Sequence, residues 1–142
     1  MDMRTRLRHL RHGPRVYAWR AEIHHLRGSR DCHRCVRVRI WGAGKTGQAL
    51  QADLLSLALG PAGACETDGS SPRPADVRAV LAYALRHGWN PDRRGGTFAL
   101  TEMLHGETFT LAGFVLTDRL RTPHGADPSE RVAAAFDLGE QG

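Results

Sequence analysis

Two runs in the chain alternate apolar and polar residues with period two, and they constrain the fold more than any other feature. In "YAWRAEIHHL" (17–26), Tyr17, Trp19, Ala21 and Ile23 share one side, and Ala18, Arg20, Glu22 and His24 share the other. In "CVRVRIW" (35–41), Val36, Val38 and Ile40 alternate with Arg37 and Arg39. Period two in aromatic and β-branched residues is the pattern of a strand with one face in a core and one face wet. The polar "RGSRD" (27–31) between the runs is turn material, so the pair reads as an antiparallel hairpin.

Further along, "QALQADLLSLAL" (48–59) fits two templates. Leu50, Ala52 and Leu54 alternate, with a slip at Leu55 that a β-bulge would absorb; Leu50, Leu54 and Leu57 also share a helical face. A third strand is expected, with Gly42, Gly44 and Gly47 serving as the hairpin connection before it. "PADVRAVLAYALRHG" places Val77, Val80, Leu81, Ala84 and Leu85 at helical spacing, with Pro74 in the first turn, Asp76 near the N-terminus and Gly88 as terminator. "TFALTEM" and "FTLAGFVLTDRL" read as two more strands, and "SERVAAAF" as a short helix capped by Ser129 and Glu130 or by Asp127. The expected fold is α+β: an antiparallel sheet of three strands, a helix and two strands, with the main helix packed across one face. Residues 1–15 are expected to form a flexible basic arm ending in Gly13-Pro14, residues 16–122 a single domain, and residues 123–142 a tail with the short helix.

At 142 residues, 41% hydrophobic and 25% charged, the chain has the composition of one soluble globular domain. No apolar run approaches the roughly 20 residues of a membrane helix, so no membrane partner is expected. The arginine-rich N-terminus has no apolar segment behind it, which argues against a secretory signal. Three cysteines without repeated spacing point to a reducing cytoplasm rather than a disulfide scaffold. One lysine among 20 basic residues is a bias of GC-rich bacterial genomes.

Charge is placed unevenly. Residues 1–41 hold eleven arginines against three acids, a balance of +8, and the remainder balances at −3. Arg4, Arg6, Arg8, Arg11 and Arg15 of the arm, with Arg20, Arg37 and Arg39 of the hairpin, form a candidate surface for nucleic-acid phosphates or another anion. The competing reading is a solvated strand face. Exposed aromatics for base stacking are scarce, with Trp41 the candidate, and no recognition helix is evident.

Two short motifs suggest cofactors. "GAGKTG" (42–47) places Gly44, Lys45 and Thr46 like the end of a phosphate-binding loop. The full motif G-x-x-x-x-G-K-S/T needs glycine at position 39, where Arg39 stands, and its strand should be apolar on both faces. A glycine-rich hairpin turn is the simpler account. "CHRC" has the C-x-x-C spacing of half a zinc site, which Cys32 and Cys35 would complete with His25 and Cys65; no second pair is present. Dispersed histidines, and loop acids such as Asp118 and Asp127, form no catalytic constellation. The function expected is therefore binding, most simply of another protein by an adaptor or immunity-type module. Nucleic acid held through the arginines is the alternative, and nucleotide at the glycine turn a third reading.

Overall fold

The structure, a computed structural model, describes residues 6–42, 44, 46–58 and 67–141, with side chains through residue 136. Six strands form one sheet: β1 (Arg8–His12), β2 (Arg15–Arg27), β3 (Cys32–Gly42), β4 (Ala49–Ser56), β5 (Thr97–Leu100) and β6 (Phe114–Leu116). Three helices accompany them: α1 (Pro74–Arg86), α2 (Glu102–His105) and α3 (Pro128–Gln141).

The hairpin read from the alternating runs is the centre of the sheet. β2 and β3 pair from Tyr17↔Gly42 to Arg27↔Cys32. β4 is a strand and joins β3 antiparallel, from Ile40↔Leu50 to Cys35↔Leu55. The register runs through Leu55 without a break, so the apparent slip is no bulge. β4 looks ambiguous in sequence because its outer face changes from Gln51 and Asp53 to Leu55, which packs under α3, and the alternation breaks there.

The α+β class holds, while the arrangement differs from expectation in three places. The segment expected to be a mobile arm contains β1, which pairs with β2 across a two-residue turn. Gly13 takes φ 59°, as the first central residue of a type II′ hairpin turn requires. One apolar residue is enough to anchor this strand: Leu10 pairs with Tyr17 and is buried with it. Second, the sheet is not purely antiparallel. β5 lies parallel to the first half of β4, from Ala49↔Thr97 to Ala52↔Leu100, because α1 supplies the crossover that returns the chain in the same direction. Third, the strand expected over "TFALTEM" stops at Leu100 and turns into α2, and "FTLAGFVLTDRL" contributes only the three residues of β6. That strand pairs with the second half of β4, from Leu54↔Leu116 to Ser56↔Phe114, so β5 and β6 share one edge of β4.

The helix expected over 74–86 forms as α1, starting at Pro74 with the Asp76 carboxylate accepting the Arg73 N–H. Its Val77, Val80, Leu81, Tyr83 and Ala84 are buried on the sheet face made by Tyr17, Trp19, Val36, Val38, Ile40, Leu50 and Leu54. Beyond Gly88 (φ 106°), Trp89 folds back under the same core and its indole N–H donates to the Gln48 carbonyl.

α3 is longer than expected and crosses one end of the opposite face. There Val132 meets Leu26, Cys35 and Leu55, flanked by Phe136, Val115 and Leu57. Its first turn plugs against the β2–β3 turn, where a Cβ on Gly28 would come within 2.1 Å of Ser129 Oγ. Glycine is required at that contact.

Candidate functional site

The half of the sheet that α3 leaves uncovered is closed by arginines. Strand register sets Arg20, Arg39 and Gln51 in one row and Glu22, Arg37 and Asp53 in the next. Arg37 donates through Nε and a terminal nitrogen to both Asp53 oxygens, at 2.8 and 3.1 Å. Their side chains are 16% and 2% exposed, so this ion pair is largely desolvated. Arg39 Nε donates to Gln51 Oε1 (3.1 Å) and lies 4.0 Å from Glu22. The Arg20 guanidinium lies over the Trp41 ring, 5.4 Å from its centre, and its Nε has no hydrogen-bond partner among the described residues. Trp41 is thus on the arginine face, as alternation implies, but is buried beneath Arg20 and offers no open ring.

Of the eight arginines read as one cationic surface, the seven described are dispersed by the fold. Arg4 lies outside the described residues. Arg6 and Arg11 are exposed, and Arg11 lends its carbonyl to the Arg78 guanidinium (3.0 Å). Arg8 sits on the other face of the sheet, over Trp19. Arg15 is held by Asp92 at 2.9 and 3.2 Å. Only Arg20, Arg37 and Arg39 come together, two of them already facing acids.

The zinc constellation is divided by strand geometry. Cys32 and Cys35 are three residues apart on one strand, so their side chains leave opposite faces of the sheet. Register places Cys35 opposite His24 and beneath α3, while His25 pairs with Arg34 on the other face. Cys35 is free and buried, and burial pushes its thiol well above the ordinary range. Cys32 is disulfide-bonded, which also removes the cysteine argument for a reducing compartment. Cys65 lies outside the described residues. Among the described residues no group of three metal-binding side chains comes together.

At the glycine turn, Lys45 lies outside the described residues. Gly44 has φ 88°, and Thr46 is exposed. A cleft of about 440 Å³ beside them is lined by Arg15, Gly42, Gly47, Pro91, Asp92 and Arg94 as well as Thr46. Gly47 is required here by packing, since a Cβ would stand 1.6 Å from the Pro91 carbonyl oxygen. The chain leaves the turn into antiparallel strand β4, not into a helix, so the amide cradle of a phosphate loop has no helix N-terminus to build on.

A larger groove than this cleft lies elsewhere, on ground where the sequence marks no site. About 710 Å³ in volume, it runs between α2, β6 and α3, with Leu57, Phe109, Phe114, Val115, Ala134 and Ala135 among its lining. Glu102 and Arg131 stand 3.1 Å apart on its wall, and burial raises the Glu102 carboxyl against the pull of Arg131. Beside it, α2 presents Met103 and Leu104, which are 82% and 73% exposed. α2 is held firmly for a four-residue helix. Asp118 accepts the N–H groups of Glu102 (2.8 Å) and Met103 (3.2 Å), and Thr101 Oγ1 accepts that of Leu104 (3.0 Å). Asp118, which reads as a solvated loop acid, is therefore a buried cap. The local signal for it was Thr101-Glu102, an N-cap followed by an acid, overlooked inside an apparent strand.

No protein-family description, no curated protein and no solved structure matches this chain. What the fold defines is a small, mixed α+β domain. Among the described residues no helix is long and apolar enough to cross a membrane.

Proposed function

We propose that this chain works by binding another protein, an apolar segment of which docks in the groove between α2, β6 and α3. The observation that carries the reading is the pair Met103 and Leu104, the largest exposed apolar side chains among the described residues apart from the marginal Val16. Met103 lines the groove and Leu104 follows it, on a turn whose N–H groups are all engaged by side chains or backbone. Rigid presentation of apolar side chains to water is unfavourable unless a partner covers them, and covering a Met or Leu contributes about 1.5–3 kcal/mol each. The test is a photo-crosslinking residue at position 104 in the native host, compared with one at exposed position 94. A discrete adduct at 104 that disappears in Met103→Asp, with the melting temperature unchanged, is expected. Equal adducts at both positions, or an adduct indifferent to Met103→Asp, would overturn the assignment.

A second reading is supported by Arg20, half-exposed over Trp41, and by Arg11, exposed farther along the same face of β1 and β2. This face would take the phosphate backbone of nucleic acid without base readout, and its affinity for a generic duplex would fall steeply with salt. A flat salt response removes it. Deleting residues 1–15 is not a clean test, because β1 would be lost with them.

A further inference from the structure

Both helical walls of the groove are fastened by an imidazole used as a hydrogen-bond acceptor. On α2, the N–H of the capping residue Thr101 donates to His105 Nδ1 at 2.9 Å, while Thr101 Oγ1 accepts from Leu104. This resembles a capping box closed one residue later than usual, by an imidazole at the fourth helical position instead of Glu or Gln at the third. A ring nitrogen accepts only while it carries no proton, so the bond requires neutral His105 with its hydrogen on Nε2. A single helical turn does not hold itself in water, so α2 depends on these acceptors.

On α3, Ser129 Oγ accepts the N–H groups of Arg30 (3.2 Å) and Asp31 (3.4 Å). With both lone pairs taken, its own proton is directed at His33 Nε2, 2.8 Å away, which must then be the acceptor. The contact is buried and joins the first turn of α3 to β3. His33 too must be neutral, with its hydrogen on Nδ1.

His87 provides the contrast. Its Nδ1 meets the Tyr83 carbonyl at 2.8 Å, and a carbonyl only accepts, so this nitrogen is a donor and keeps its bond whether or not the ring is charged.

We propose that His105 and His33 are acid-released latches on α2 and α3, so that the groove keeps its shape while both rings are neutral and opens when they take up protons. The consequence for a bound partner rests on the docking reading above; the latches themselves belong to the free chain. The groups facing His105 are His87 and Tyr83 from α1, Phe98 from β5 and Asp118 beyond β6. Burial lowers His105 and His87 lowers it further, while the Thr101 backbone contact and Asp118 act the other way. Asp31 and Asp127 face His33, and their upward pull is outweighed by burial, which lowers it. Release therefore sets in below the ordinary imidazole range of about 6.5.

The experiment is an imidazole ¹⁵N titration of the full chain from pH 8 to 5, with amide exchange followed in parallel and divided by the intrinsic rate. At neutral pH the hydrogen is expected on Nε2 of His105 and on Nδ1 of His33 and His87. As each latch protonates, protection at the Thr101 and Arg30 amides should fall by about tenfold per pH unit, while the Val80 and Leu81 amides of α1 keep theirs. His105→Asn and His33→Gln carry an amide oxygen near the lost nitrogen, and should keep α2 and α3 protected at pH 5. Reversed tautomers, or loss of protection in α1 at the same pH, overturns the proposal. Latches that titrate as stated in a chain that never engages a partner through Met103 would overturn the docking reading and leave the latches standing.

Discussion

Val36, Val38, Ile40, Leu50 and Leu54 meet Val77, Val80 and Leu81 on the α1 face, and that side of the sheet is closed by close-packed hydrocarbon. On the opposite face, the residues interleaved with these along β3 and β4 are Arg37, Arg39, Gln51 and Asp53, all partly or fully buried without a helix above them. The same strands are thus sealed once by a helix and once by arginines, whose heads meet Asp53, Gln51 and the Trp41 ring on the sheet itself. The apolar face draws its stability from area removed from water. The arginine face gains little net free energy from its ion pair, because desolvation offsets the attraction, but it is costly to break. One face is therefore tolerant of apolar exchange, and the other enforces partners.

Removing one partner of the buried pair is the harshest way to break that comparison. Arg37→Met leaves the Asp53 carboxylate buried without its cation and should cost about 4 kcal/mol in urea unfolding. Adding Asp53→Leu should recover most of the loss, since two apolar side chains of similar size leave no stranded charge. A single substitution that unfolds at the wild-type midpoint would show that water reaches Asp53 freely.

On the α1 face the corresponding substitution is Leu81→Ala, which opens a cavity between α1 and the sheet. A loss of about 3 kcal/mol is expected in the same assay. No second substitution of charge type should rescue it, and a rescue of the kind expected for Arg37→Met would erase the distinction between the faces.

The contrast between faces also explains what could be read in advance. β2, β3 and α1 each bury one face against the core, so their periodicity is written locally and they form as expected. β4 changes its outer face from Asp53 to Leu55, and β1 owes its strand to Tyr17 and Trp19 across a turn rather than to its own apolar content. α2 was legible only in part: Thr101 caps it locally, but the N–H groups of Glu102 and Met103 are accepted by Asp118, sixteen residues from Glu102. The separation of Cys32 from Cys35 was legible: once "CVRVRIW" is a strand, a C-x-x-C at its start points to both faces. The groove is not legible in sequence because its walls come from three segments, each with an ordinary apolar content.

Acid should weaken the ends of α2 and α3 more than the core beneath Val80 and Leu81. His33 and His105 are held neutral by burial, so below about pH 6.5 the unfolded chain binds more protons than the folded one. Their contribution to stability is full above that pH and is lost as pH falls toward their lowered values. The melting temperature is expected to drop on acidification and to drop less in the His33→Gln, His105→Asn double variant. An equal drop in both would move the acid sensitivity to other groups.

The smallest effect is expected at Arg20. Its head is partly exposed, sits on Trp41 and leaves its Nε unengaged, so Arg20→Gln should change stability by no more than about 0.5 kcal/mol. That small cost makes it the cleanest probe of whether the arginine face does more than close the sheet. If the face holds a phosphate backbone, Arg20→Gln should lower duplex affinity alike for all sequences and reduce the slope of log affinity against log salt by about one. Arg37→Met with Asp53→Leu should leave that slope nearly unchanged, because the pair it removes carries no net charge. An unchanged slope in Arg20→Gln would leave the arginine layer as a closure of the sheet, and the docking proposal at the groove beside Met103 as the reading still to be tested by crosslinking.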